Sequence, residues 1–220
     1  MALIDFNTSP RFAHLGGGAW LPDLSLWPLT PEGKPMMPLD NSFFLIPTLG
    51  SDDWAMTVFI AVNYRQNGQA FDPCYARRFA ANDQSAFDRF DCAYSKILLH
   101  PKGGAELVYP EIDYPLFPKT FIGLRKETED EIAAESAEID ETEQGLDNSK
   151  AYVFFHFPQD LIRTKPSDWL VLQINQFDLD EISPAHEGIW GNGLGYAAWN
   201  RNLKKFAETR EVGKFFVQTT

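Results

Sequence analysis

At 220 residues the chain is long enough to bury roughly 70% of its unfolded surface, so it needs no disulfide or metal staple. Eighteen Phe, six Trp and seven Tyr supply an aromatic core, and fifteen Pro with fifteen Gly favour sheet and loops over a helix bundle. The net charge of −12 argues against nucleic acid or an anionic membrane surface as a direct partner, because both call for a basic footprint.

The acidity is local. Residues 127–147 carry ten acids and no Lys or Arg, and taking those ten from −12 leaves only −2 for the rest of the chain. Cys74 and Cys92 form no CxxC, which speaks against a zinc cage and for two reduced thiols. The first residues lack the basic and apolar regions of a secretory signal, and no apolar run approaches the ~18 residues of a membrane span. The expectation is a single cytoplasmic domain over 1–220, with an acidic helical insertion at about 126–148.

In chain order, residues 1–13 read as a terminal arm. Residues 14–40 are punctuated by Trp20, Pro22, Trp27, Pro28, Pro31, Pro35 and Pro38. Proline fixes φ and blocks helix, so this stretch is expected to be stiff and to wrap a sheet, as a clasp or as the rim of a groove. Asn41–Leu49 and Trp54–Tyr64 read as strands, with turns at 50–53 and at Arg65–Gln69. Phe79, Phe87 and Phe90 suggest short helical pieces within 72–93. Ser95–Leu99 is a strand candidate, Glu106–Lys119 is irregular around its three prolines, and Phe121–Leu124 is short and apolar.

Thr128-Glu129-Asp130-Glu131 has the form of a capping box, in which the Thr oxygen accepts an N–H three residues on and Glu131 reaches back. It predicts an acidic helix over 128–143. Glu127, Glu131 and Glu135 sit four apart and repel by a few tenths of a kcal/mol per pair, so the helix gains from packing or from a basic partner. Ala151–Phe157 reads as a strand, and so does Trp169–Asn175, buried on both faces. Gly191, Gly193 and Gly195 form a turn into a second aromatic strand. Asn200–Ala207 has helical periodicity, and Lys214–Gln218 closes as a strand.

Candidate chemistry is sparse. His14, His100, His156 and His186 have no partner at a fixed spacing, and no nucleophile elbow, HExxH or Walker loop is present. Gly191-Asn192-Gly193-Leu194-Gly195 leads into Tyr196-Ala197-Ala198-Trp199 rather than into a helix that would hold a pyrophosphate. Asp52-Asp53 are loop-tip acids with no further ligand spacing, and Asp178–Glu181 lacks the glycine and distal Glu of a calcium loop. The residues therefore specify no catalytic group, no metal and no cofactor.

The runs Leu170–Ile174, Trp190–Tyr196 and Phe215–Gln218, with Gly16–Pro22, Trp27-Pro28 and Glu32–Met36 near the other end, occur in the order in which they resemble the YwqG-like family of bacterial proteins. That family pattern usually carries Asp where this chain has Asn192. The resemblance implies an α+β fold, mostly antiparallel β-sheet with few short helices, to which this chain adds one acidic helical insertion. The family has no established general activity. Its likeness to components found around bacterial toxin systems implies an immunity-type role.

Two functions compete. In the first, the chain is a non-catalytic inhibitor whose Glu127, Glu131, Glu135, Glu138 and Glu141 meet a basic protein partner, such as a secreted toxin domain, and occlude its active face. In the alternative, Trp20, Trp27, Trp190, Asn192 and Tyr196 frame an aromatic pocket for a small ligand or peptide, and the protein is a binding module or an enzyme.

Overall fold

In the computed structural model, the described residues are 2–6, 13–42, 53–72, 93–125, 128–130, 152–154, 169–191, 193–200 and 208–218. They build β1 (Ala2–Phe6), β2 (Ala13–Leu15), β3 (Met37–Ser42), β4 (Trp54–Ile60), β5 (Asn63–Tyr64), β6 (Ala70–Phe71) and β7 (Ser95–Pro101). There follow β8 (Thr120–Arg125), β9 (Tyr152–Phe154), β10 (Trp169–Asn175), α1 (Gln176–Ile182), β11 (Leu194–Asn200), β12 (Arg210–Glu211) and β13 (Gly213–Gln218). Eleven strands join one sheet in the order β12-β7-β4-β3-β2-β8-β1-β9-β10-β11-β13, and β5 and β6 form a separate hairpin. Every strand pair is antiparallel, so the expected mostly antiparallel sheet with little helix is what the chain forms.

The sheet closes on itself. β12 and β13 stand at opposite ends of the strand order, yet only Val212 separates them in the chain. Arg210 and Glu211 pair with Leu99 and Leu98 of β7, and the Val212 N–H donates to the Ile97 carbonyl at 2.9 Å. From Gly213 onward the same segment pairs with β11. The Ser95 hydroxyl still reaches the Phe215 carbonyl at 3.4 Å, so β13 continues to run beside β7.

Alternation along the strands fills the enclosed face. Ala13, Leu15, Met56, Val58, Ile60, Ile97, Leu99, Ile122, Leu172, Ile174, Ala197, Trp199, Phe215 and Val217 belong to one buried cluster, which Phe117, Leu179, Ile189 and Trp190 complete from the connections. This is the period-2 pattern of strands with one face turned to a core. A second, smaller cluster lies on the outer face of β4 and β7. There Ala19, Leu21, Trp27 and Met36 cover Phe59 and Leu98. The Trp27 ring meets Phe59 edge-on at 5.3 Å, and its indole N–H donates to the Met36 carbonyl at 2.8 Å. The proline-rich stretch is thus a clasp.

Gly18 shows why the clasp needs its glycines. A Cβ there would sit 2.1 Å from the Leu107 carbonyl oxygen. That oxygen is fixed, because Ala19 and Leu107 exchange backbone bonds of 2.9 and 2.8 Å. Gly18→Ala is therefore expected to destabilise the fold by about 1–3 kcal/mol, read as a lower urea midpoint at unchanged slope.

Several expectations change. Residues 1–13 are not an arm: β1 lies inside the sheet, paired with β8 on one side and β9 on the other. The third strand begins at Met37, ahead of the expected Asn41, and a register shift between Pro38 and Asp40 accommodates the proline. Asn200 ends β11 instead of starting a helix. Asp178–Glu181 lies in α1, which is capped by the Asn175 side chain accepting from the Phe177 N–H at 2.9 Å. β10 has the expected bounds, and Leu172, Gln173, Ile174 and Asn175 are all buried. The expected helical pieces of 73–92 and the helix of 201–207 lie outside the described residues.

Candidate functional site

Among the described residues, a dense polar layer lies on the outer face of β2, β3, β4 and β7, under the glycine turn. His14 on β2 donates from Nδ1 to the Gly16 carbonyl at 2.8 Å. A carbonyl can only accept, so Nδ1 carries the proton and Nε2 is left as an acceptor, which takes the Trp20 indole N–H at 3.1 Å. Next to it, Asn41 donates to the Gly18 carbonyl at 3.1 Å, and its own oxygen lies 3.0 Å from the Thr57 hydroxyl. That hydroxyl is also 2.9 Å from His100 Nε2, while His100 Nδ1 faces the Pro101 carbonyl at 2.9 Å. With His100 neutral, one Thr57 proton serves two acceptors. Asn41, Thr57 and His100 have no measurable exposure.

Burial holds His100 neutral, with its pKa lowered to about 4. Burial, reinforced by the Lys119 charge, lowers His14 as well. The glycine amides in this layer are occupied: Gly16 bonds the Leu39 carbonyl, Gly17 the Phe117 carbonyl, and Gly18 the Glu106 carboxylate at 2.6 Å. This turn holds the clasp and presents no cradle for a phosphate. The other Glu106 oxygen accepts from Lys119, and Lys119 and Lys102 lie over the Trp20 ring at 5.7 and 5.0 Å.

A second constellation closes the enclosed core beside α1. The Trp190 indole N–H donates to Asp72 at 3.1 Å, and its backbone N–H donates to the Gln176 side chain at 2.6 Å. Gln176 in turn donates to Asp180, which also accepts from the Gly188 N–H at 3.0 Å. A Cβ on Gly195 would approach the Trp190 ring to 2.7 Å, so glycine at 195 is what lets the indole lie flat on β11. Nearby, Ser183 and His186 Nδ1 are 2.6 Å apart, and the His186 ring stacks on Phe117 at 4.1 Å. Burial lowers the His186 pKa to about 4, which holds the ring neutral. Among the described residues, no three His, Cys, Asp or Glu groups converge as metal ligands.

The aromatic residues read as a pocket are not gathered in one place. Trp190 packs with the enclosed core. Tyr196, its neighbour in sequence, stacks on Phe216 at 5.2 Å, on the face of β11 opposite to Ala197 and Trp199. Trp27 lies in the outer clasp, fully covered, and Trp20 is half-buried against His14. Asn192 lies outside the described residues, as do Glu127, Glu131, Glu135, Glu138 and Glu141. Beside them, Thr128, Glu129 and Asp130 are exposed, and helix begins at Glu129, directly after the Thr that the capping box assigns.

Sequence reasoning missed Asn41, Thr57, Asp72 and Gln176. Asn41 and Thr57 are polar residues inside runs that are otherwise apolar, and that was the available signal. Asp72 and Gln176 meet Trp190 from distant parts of the chain, and no spacing announces such a contact. The scaffold is an antiparallel sheet closed around an aromatic core. No family model, no curated protein and no solved structure matches this chain.

Proposed function

We propose that the protein is a YwqG-like, non-catalytic interaction protein of the bacterial cytoplasm, most simply an immunity-type inhibitor of a basic toxin domain. The observation that carries this reading is the placement of charge. The ten acids of 127–147 fall, in sequence, between the end of β8 and the start of β9. β8 and β9 both pair antiparallel with β1 and so run parallel to each other; the acidic stretch joins opposite ends of the scaffold. Exposure of Thr128, Glu129 and Asp130 at its entry agrees with a surface role. Further support is that the outer layer of His14, Asn41, Thr57 and His100 is hydrogen-bonded within the protein.

In this mechanism Glu127, Glu131, Glu135, Glu138 and Glu141 meet the basic face with which the toxin holds its substrate. Complementary potential speeds encounter and sets specificity, and the bound insertion blocks access.

The test uses the toxin domain encoded beside the gene. Replacing all five Glu by Gln is expected to weaken binding by about 10–100-fold at low salt, chiefly in the association rate, and to flatten its salt dependence. Equal affinity for the wild type and the five-fold variant, or no binding by either, would remove the proposal.

A further inference from the structure

We propose that His14 is a proton-gated clasp for Trp20: taking up a proton at Nε2 ejects the indole from its seat on β2. The geometry fixes the argument. His14 Nδ1 is committed to the Gly16 carbonyl, so the ring can accept the Trp20 N–H at 3.1 Å only through an unprotonated Nε2. A proton there would set two N–H donors against each other at hydrogen-bond distance. The imidazolium would have to lose one of these two hydrogen bonds. The Gly16 contact survives protonation because it is already made by an N–H.

The surroundings bias the outcome the same way. Lys119, at the start of β8, faces both His14 and the Trp20 ring, so a charge on His14 is repelled. Lys102 lies over the same indole from the segment after β7. Glu106 is the opposing charge, but its carboxylate already receives the Gly18 N–H and Lys119. The neighbours on β3 and β8 are uncharged: Asn41 pairs opposite His14, and Phe121 meets its ring edge-on at 6.2 Å. The midpoint is therefore expected below the ordinary 6.5 of a histidine. Trp20 is half-buried and can swing outward without opening the core. In acid, this patch would then present an indole ringed by Lys102, Lys119 and a charged His14; at neutral pH the indole stays clasped.

The test is NMR on the full chain. The Trp20 indole resonance is assigned by its loss in Trp20→Phe, and the His14 tautomer is read from ring 15N shifts. Expected are an Nδ1–H tautomer at pH 7.5 and a Trp20 indole shift whose midpoint coincides with that of the His14 ring. Exchange of the indole proton with water should rise at least about tenfold across the transition, while the Trp190 indole resonance stays in place. In His14→Gln, whose side-chain oxygen does not titrate, the Trp20 shift should become independent of pH. Four results would each overturn the proposal: the opposite tautomer at pH 7.5, a Trp20 resonance that ignores the His14 transition, a Trp20 titration surviving in His14→Gln, or Trp190 moving together with Trp20. The tautomer and the wild-type titration need no variant, so they decide the matter even if His14→Gln fails to fold.

Discussion

Trp190→Ala is expected to be the most damaging single substitution in the molecule. The indole has no measurable exposure and lies between Gly195 and Phe215, whose ring is 5.8 Å away. Truncating a buried aromatic to Ala typically costs about 3–5 kcal/mol, because the cavity does not fully collapse. Asp72 would also lose its indole donor at 3.1 Å, which adds to the cost. Together these approach the whole stability of an ordinary domain, about 5–15 kcal/mol. Urea unfolding should therefore show a large drop in midpoint, or no folded baseline at all. Trp190→Phe keeps much of the volume but loses the N–H, so it should fall between wild type and Ala. If Trp190→Ala lies within about 1 kcal/mol of wild type, the indole is not the keystone described above.

The second large effect is a loss of stability in mild acid. His100 and His186 are each held at about 4 by burial, against 6.5 for an ordinary histidine. Above 6.5 both rings are neutral whether the chain is folded or not, and they contribute no pH dependence. Between 6.5 and about 4 the unfolded chain takes up protons that the folded chain refuses, so stability falls as the pH falls. Each ring accounts for about 3 kcal/mol once the lower limit is reached. His14, lowered by burial and by Lys119, acts in the same direction. Chemical unfolding at a series of pH values should show a plateau above 6.5 and a steep decline toward 4. A His100→Gln, His186→Gln double variant should be less stable at pH 7.5 but much flatter below it. A decline that begins only under pH 4, or persists unchanged in the double variant, would assign acid sensitivity to the carboxylates instead.

Local pattern in the sequence predicts the strands that carry strong apolar runs. β10 and β13 lie where β-branched and aromatic residues are densest, and the turn at Arg65–Gln69 separates two short paired strands. What local pattern could not show is partnership over distance. Ala2–Phe6 is too short a run to stand out from a flexible terminus, and it becomes a strand because β8 and β9 pair with both its edges. Arg210–Glu211 is a charged pair with no apolar run to mark it, yet its backbone pairs with β7. The aromatic residues looked alike in one dimension. Alternation along β11 nevertheless turns Tyr196 away from the face that Trp190 covers, and a two-residue period decides that before any ligand does. The polar layer of His14, Asn41, Thr57 and His100 joins four strands and a turn, so its members are far apart in sequence, and no motif spacing could reveal it.

One stretch of backbone, residues 210–218, stitches both margins of the sheet. A ribosome must therefore have delivered residues 210–218 before the ring can shut. Until then a nascent chain carries β7 and β11 as bare edges, each able to recruit a stray strand from another molecule. Assembly should accordingly be slow, because the ring cannot shut until residues 210–218 join strands made well before them.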